Sequence, residues 1–125
     1  MIEVGAFEAK NTLGTLLNRV EHGEEVVSAL YSPDIVSVEA MAMPGGTREV
    51  QGLEAVAGKG AWWIENHEVH SAKVEGPLVA GPHFSVRFTY DITNKPSGKR
   101  MVMDELAMYH VKEGKIDREE FFYGA

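Results

Sequence analysis

Hydrophobic and polar residues alternate strictly over residues 84–93. Phe84, Val86, Phe88, Tyr90 and Ile92 fall on one side, and Ser85, Arg87, Thr89, Asp91 and Thr93 on the other. A period of two marks a β-strand with one buried face. A polar turn follows at 94–98. Residues 100–111 then run extended, with Met101, Val102, Met103, Leu106, Met108, Tyr109 and Val111 along them. Lys112-Glu113-Gly114 reads as a tight turn in which glycine supplies a left-handed residue. The chain returns over 116–123. Three strands joined by two hairpins predict an antiparallel sheet, and a sheet of this length must bury one face against the rest of the chain.

Upstream the period changes. Ala9, Leu13, Leu16, Leu17 and Val20 recur at spacings of three and four and predict a helix over 6–21, ended by Gly23. A second, short helix is predicted over 24–31, with Glu24 and Glu25 at its start and Pro33 stopping it. Residues 35–43 read as a strand, with Ile35, Ser37, Glu39 and Met41 on one face and Val36, Val38, Ala40 and Ala42 on the other. A short strand at 48–51 follows the Pro44-Gly45-Gly46 loop. A third helix over 53–67 turns Leu53, Val56, Gly60, Trp63, Ile64 and His67 to one side. Gly58 and Gly60 weaken it by about 1 kcal/mol each, and a glycine there suits close approach to a sheet or a ligand. Residues 68–80 form a further strand, bent near Gly76-Pro77. The layout is α+β: a curved antiparallel sheet with three helices on its concave side, a cone with an open mouth, in one domain spanning 1–125.

Composition narrows the function classes. The chain has 125 residues, enough for one domain with a substantial core. Its formal net charge is −7 with no run of Lys or Arg, which disfavours nucleic-acid binding, because phosphate contacts need clustered cations. Without cysteine there are no disulfides, no thiol catalysis and no thiolate metal site. No apolar stretch approaches the roughly 20 residues that span a membrane, and the first residues lack the pattern of a signal peptide. A cytoplasmic location is expected. No phosphate loop, nucleophile motif or cofactor fingerprint is present, so no cofactor is expected.

Four stretches carry a resemblance. They are Leu30-Tyr31-Ser32-Pro33-Asp34-Ile35-Val36-Ser37-Val38-Glu39, Gly52-Leu53-Glu54-Ala55-Val56, Trp62-Trp63, and Glu113-Gly114-Lys115-Ile116. In that order and spacing, residues 26–125 resemble the SnoaL-like branch of the nuclear transport factor 2-like superfamily. The resemblance implies the cone fold. It also implies a circle of activities that includes ketosteroid isomerases, polyketide cyclases, dehydratases and epoxide hydrolases, so it bears on fold more than on reaction. Residues 1–25 instead resemble the start of a Phd-type antitoxin, here standing in the place of the first cone helix.

Candidate chemistry centres on carboxylates. The resemblance implies a general base on the first strand, eight residues past an aromatic residue; Tyr31 plus eight is Glu39. On an apolar wall such a carboxylate is desolvated and better suited to proton transfer. Otherwise Glu39 points to solvent or pairs with Arg48. Asp104 and Glu105 point to opposite faces of their strand. Glu105 shares its parity with Ala107, Tyr109 and Val111 and is the inward candidate; by resemblance an acid here donates to an oxyanion. Glu119, Phe121 and Tyr123 share a face that the resemblance turns into the cone, whereas Arg118, Glu119 and Glu120 can equally form a solvated strand end. Tyr31, Met41, Trp62, Trp63, Tyr90 and Tyr109 either line a ligand pocket or are plain core. His70 is a candidate pocket acid or base. His67 and His70, three apart, span a helix–strand junction without a third ligand, so no metal is expected. Thr15 stands where the isomerases carry their oxyanion tyrosine.

Two readings follow. One is a cofactor-free isomerase, cyclase or lyase acting on a small hydrophobic carbonyl compound, with Glu39 as base and Glu105 or Tyr109 on the enolate oxygen. The other is a non-catalytic ligand-binding or assembly domain. In both, a homodimer through the outer sheet face is expected, because that face is rich in Met and Val. A DNA-associated, antitoxin-like protein rests on residues 1–26 alone and is opposed by the net charge.

Overall fold

A computed structural model describes residues 31–43 and 45–124. The described chain runs β1 (Tyr31–Val38), β2 (Glu49–Gln51), α1 (Leu53–Asn66), β3 (His67–Ala80), β4 (His83–Asn94), β5 (Lys99–Lys112) and β6 (Lys115–Phe122). The strands make one six-stranded sheet in the order β2-β1-β6-β5-β4-β3. The alternation over 84–93 is realised in full: Phe84, Val86, Phe88, Tyr90 and Ile92 are all buried. Across the sheet they meet Tyr109, Ala107, Glu105, Met103 and Met101 of β5 in turn. β6 continues the inner face, with Phe121 opposite Ala107 and Glu119 opposite Tyr109. The core is this inner face together with Tyr31 and Ile35 of β1 and Val56 of α1.

The sheet is mixed rather than wholly antiparallel. β3 to β6 form an antiparallel meander, but β1 lies parallel to β6, with Ser37 opposite Glu119. Hairpin turns dictate the direction of a neighbouring strand, whereas β1 and β6 are joined only through all the intervening chain, and a polarity pattern does not encode direction. The β5–β6 turn places Glu113 at φ 52° and Gly114 at φ 78°. Two consecutive left-handed residues match the right-handed twist of the flanking strands, as sequence predicted for the glycine.

Three expectations need correction. Of the predicted helices only 53–67 falls within the described residues, where it ends at Asn66; the helix over 6–21 and nearly all of 24–31 lie outside them, as does the antitoxin-like stretch. Tyr31, placed at the end of the second helix, is the first residue of β1. The strand expected over 35–43 starts earlier and stops at Val38. Beyond it the chain continues as an irregular hairpin arm, with Glu39 N donating to Arg48 O at 2.7 Å and Met43 N to Thr47 O at 2.8 Å. Alanines 40 and 42 are weak strand formers, and Met41 and Ala42 are exposed, so no buried face holds the ladder there.

Gly58 and Gly60 do not mark a close approach, because a Cβ at either position meets nothing within 4 Å. Their cost is therefore backbone entropy alone. Gly58 is exposed in mid-helix. Gly58→Ala is expected to raise stability by about 1 kcal/mol, read as a higher urea midpoint with an unchanged m-value. A loss of stability would show that the position has a packing role.

Candidate functional site

One rung across the inner face carries Phe84, Tyr109, Glu119 and Ser37 on β4, β5, β6 and β1. Strand pairing thus sets Glu119 beside Ser37, and both are fully enclosed. Ser37 Oγ donates to Glu119 Oε2 at 2.6 Å, and Tyr31 OH donates to Glu119 Oε1. α1 adds a cation. Lys59 Nζ donates to Ser37 Oγ and, at 2.7 Å, to Glu39 Oε2. It also lies 5.0 Å from the centre of the Phe121 ring, within cation–π range. The second oxygen of Glu39 accepts from Tyr123 OH at 3.1 Å. A continuous hydrogen-bonded chain therefore runs from Tyr31 through Glu119, Ser37, Lys59 and Glu39 to Tyr123.

Glu105 stands apart from this chain. It is 9% exposed and, among the described residues, its carboxyl has no hydrogen-bond partner. Burial, then the nearby charges of Glu39 and Glu119, push its pKa up to about 8, against a smaller opposing effect of Lys59. Burial also raises the Glu119 carboxyl, although its hydrogen bonds from Ser37 and Tyr31 favour the charged form. Burial and Glu119 raise the Tyr31 and Tyr109 hydroxyls. Tyr123 is pushed up to about 12 by burial and by Glu39. Phe84 stacks on Tyr109 at 4.8 Å and Phe88 on Tyr90 at 5.9 Å; Trp63 meets Tyr90 at 5.5 Å from the helix side.

The structure brings together Glu39, Glu105, Glu119, Tyr31, Tyr109 and Phe121, with Tyr90 and Trp63 adjoining. Glu105 faces inward, and Asp104 lies on the outer face in a bidentate pair with Arg87 at 2.9 and 2.7 Å. Glu119 is not part of a solvated strand end. The side chain of Glu39 pairs with Lys59 rather than with Arg48, which reaches only its backbone oxygen, at 3.0 Å. Three expected pocket residues are not in the cluster. Met41 and Trp62 are 51% and 46% exposed. His70 is exposed on β3 and meets Thr93 Oγ1 at 2.7 Å. Sequence reasoning passed over Lys59, Ser37 as a participant and Tyr123 as a Glu39 partner. The signal for Lys59 was present: it lies three residues after Val56 and four before Trp63, on the face assigned to the core.

Among the described residues no three His, Cys, Asp or Glu side chains converge to hold a metal, and no helix is long and apolar enough to cross a membrane. His67 Nδ1 lies 2.8 Å from Trp63 O, with its ring stacked on Trp63.

A model of the SnoaL-like domain matches residues 15–123. Among solved structures, a candidate SnoaL-like polyketide cyclase from Mesorhizobium loti is 41% identical over 94% of this chain and 98% of its own, with a TM-score of 0.80. The epoxide hydrolase/cyclase-like enzyme SalBIII, which has a role in pyran ring formation in the polyether salinomycin, is 19% identical over 95% and 92%, with a TM-score of 0.71. A de novo designed protein with a curved β-sheet is 18% identical over 94% and 85%, with a TM-score of 0.69. At the last two identities the likeness is one of fold. No curated protein matches.

Proposed function

The chain belongs to the SnoaL-like domain family, and from that premise we propose that it is a cofactor-free acid–base catalyst acting on a small, hydrophobic, polyketide-like carbonyl compound. The observation that carries this reading is Glu105, a buried carboxyl without a hydrogen-bond partner among the described residues, whose pKa burial pushes up to about 8. A neutral acid of this kind can donate to an enolate oxygen. Glu39, paired with Lys59, is the ionised carboxylate of the cluster. A buried, unpaired carboxyl beside one held in an ion pair is what an acid and a base require.

In the proposed step Glu39 takes a proton from the carbon next to the substrate carbonyl. The C–H electron pair becomes the new C=C bond, and the carbonyl π pair moves to oxygen, where the Glu105 O–H donates a hydrogen bond. Returning the proton to a different carbon gives isomerisation; attack of the enolate carbon on a second carbonyl gives cyclisation. Trp63, Tyr90 and Phe121 supply flat faces for an unsaturated ring.

Planar phenols mimic an enolate, and their binding tests the reading. A phenol at a hundred times its dissociation constant adds about 2.7 kcal/mol to wild-type stability, read as a melting shift of several degrees. Glu105→Leu is expected to weaken the binding roughly tenfold, the worth of one such hydrogen bond. If no phenol or enone shifts the melting, or if the shift ignores both Glu39→Gln and Glu105→Leu, the catalytic reading falls.

A second reading, an assembly domain in which a second copy covers the outer sheet face, draws on Leu78, Val102 and Leu106, which are 78%, 70% and 52% exposed. Sedimentation showing a monomer at working concentration removes it.

A further inference from the structure

We infer that Lys59 decides which carboxyl of the cluster carries the proton: its ammonium keeps Glu39 ionised and leaves Glu105 as the acid, while Glu119 acts through Ser37 to hold that ammonium in place. The inference rests on the acid–base reading above for its use, but its geometry stands without it.

Hydrogen-bond directions fix the position of the ammonium. Glu119 Oε2 accepts the Ser37 hydroxyl proton, so that hydroxyl can offer Lys59 only its oxygen lone pairs. Tyr31 occupies the other Glu119 oxygen and prevents the carboxylate from turning away. Glu119 is thereby a buttress that acts on Lys59 through Ser37. The Lys59 ammonium is then fixed at three points: the Ser37 oxygen, Glu39 Oε2 and the face of Phe121. A free lysine on a half-buried helix face would extend its ammonium into water. This one turns inward, to a place where two carboxylates already lie.

The consequence is asymmetric. The charged or titratable groups around Glu105 are Glu39 from the β1 arm, Lys59 from α1, Tyr109 of its own strand, and Glu119 and Tyr123 from the β6 side. Lys59 makes a direct ion pair with Glu39 and none with Glu105. One cation bound to one of two neighbouring carboxyls favours ionisation there, and the resulting negative charge favours a proton on the other. When Glu39 takes up a proton from substrate, Lys59 loses its counter-charge and its field turns to the new enolate. Lys59 is a positioning residue in this scheme.

The test needs neither ligand nor activity. Glutamate side chains labelled with carbon-13 at the carboxyl are followed by NMR from pH 4 to 10 in wild type, Lys59→Met and Lys59→Arg, with signals assigned from Glu39→Gln and Glu105→Gln. In wild type, Glu39 is expected to remain ionised throughout the range in which Glu105 titrates. In Lys59→Met the two midpoints are expected to merge into the two-step curve of a coupled pair, and Lys59→Arg to keep the wild-type order. The inference is overturned if Glu39 and Glu105 titrate in Lys59→Met as they do in wild type. It is equally overturned by the wild-type protein alone if Glu39 holds its proton to a higher pH than Glu105, an outcome that does not depend on any variant folding. Failure of phenol binding with this titration order intact would remove the catalytic reading and leave the proton assignment standing.

Discussion

Glu105→Gln is expected to make the protein more stable, by an amount that grows with pH. In the unfolded chain this carboxyl releases its proton near its ordinary value of 4.5, and in the folded protein near 8. Between these values the unfolded state binds fewer protons than the native one, so wild-type stability falls as pH rises through this window and then levels off. Glutamine has no proton to lose, and the variant escapes the fall. Below the lower value the two proteins differ little. By pH 9 the variant is ahead by on the order of 3 kcal/mol, less than the full shift implies because a strained site relaxes. For a domain of this size that is a melting difference of roughly 10 °C. Thermal or urea denaturation at pH 5, 7 and 9 reads it directly. Glu119, also raised by burial, leaves a slope of the same sign in the variant. Parallel pH profiles for the two proteins would show that Glu105 is solvated or paired in solution. A position where an amide serves folding better than an acid is one where the acid serves something else, and this links the stability measurement to the catalytic proposal.

How much of this was legible depends on which physics the sequence encodes. The inner face of β4 and β5 was, because a period of two over many residues admits one buried side, and the same parity turned Glu105 inward and Asp104 outward. The parallel β1–β6 pairing was not, since nothing local in Tyr31–Val38 records the direction of its neighbour. His70 shows how parity fails. The β3–β4 register slips between Val69 and Ser71, so alternation along β3 does not carry through His70. Met41 fails differently: β1 ends at Val38, and alternation has no meaning past the last ladder bond. Lys59 was hidden by its charge. Helical spacing put it between Val56 and Trp63, yet a lysine on a helix is ordinarily read as solvent-facing. Only the placement of Glu39 and Ser37 gives its ammonium a reason to turn inward. The Lys59 partner of Glu39 was missed for the same reason.

Removing one hydroxyl from Tyr31 and from Tyr109 should have unequal results. Both phenols are buried, at 7% and 1% exposure, and both lie beside Glu119. Tyr31 donates to Glu119 Oε1, whereas Tyr109, among the described residues, has no hydrogen-bond partner. Tyr31→Phe therefore strips a donor from a buried carboxyl and is expected to cost about 2 kcal/mol at neutral pH. Tyr109→Phe removes an unsatisfied polar atom while keeping the ring stacked on Phe84, and is expected to be neutral or slightly stabilising. The Tyr31→Phe loss should also grow from pH 5 to pH 9. That hydrogen bond favours ionised Glu119, so without it the folded-state pKa, already raised by burial, rises further and the descent of stability with pH steepens. Urea denaturation of both variants at the two pH values separates the contributions. Equal losses would mean that ring packing, not the hydroxyl, sets the cost. A pH-independent Tyr31→Phe loss would mean that Glu119 keeps its proton throughout. It would then brace Ser37 as a neutral acid, and the charge that balances Lys59 would come from Glu39 alone.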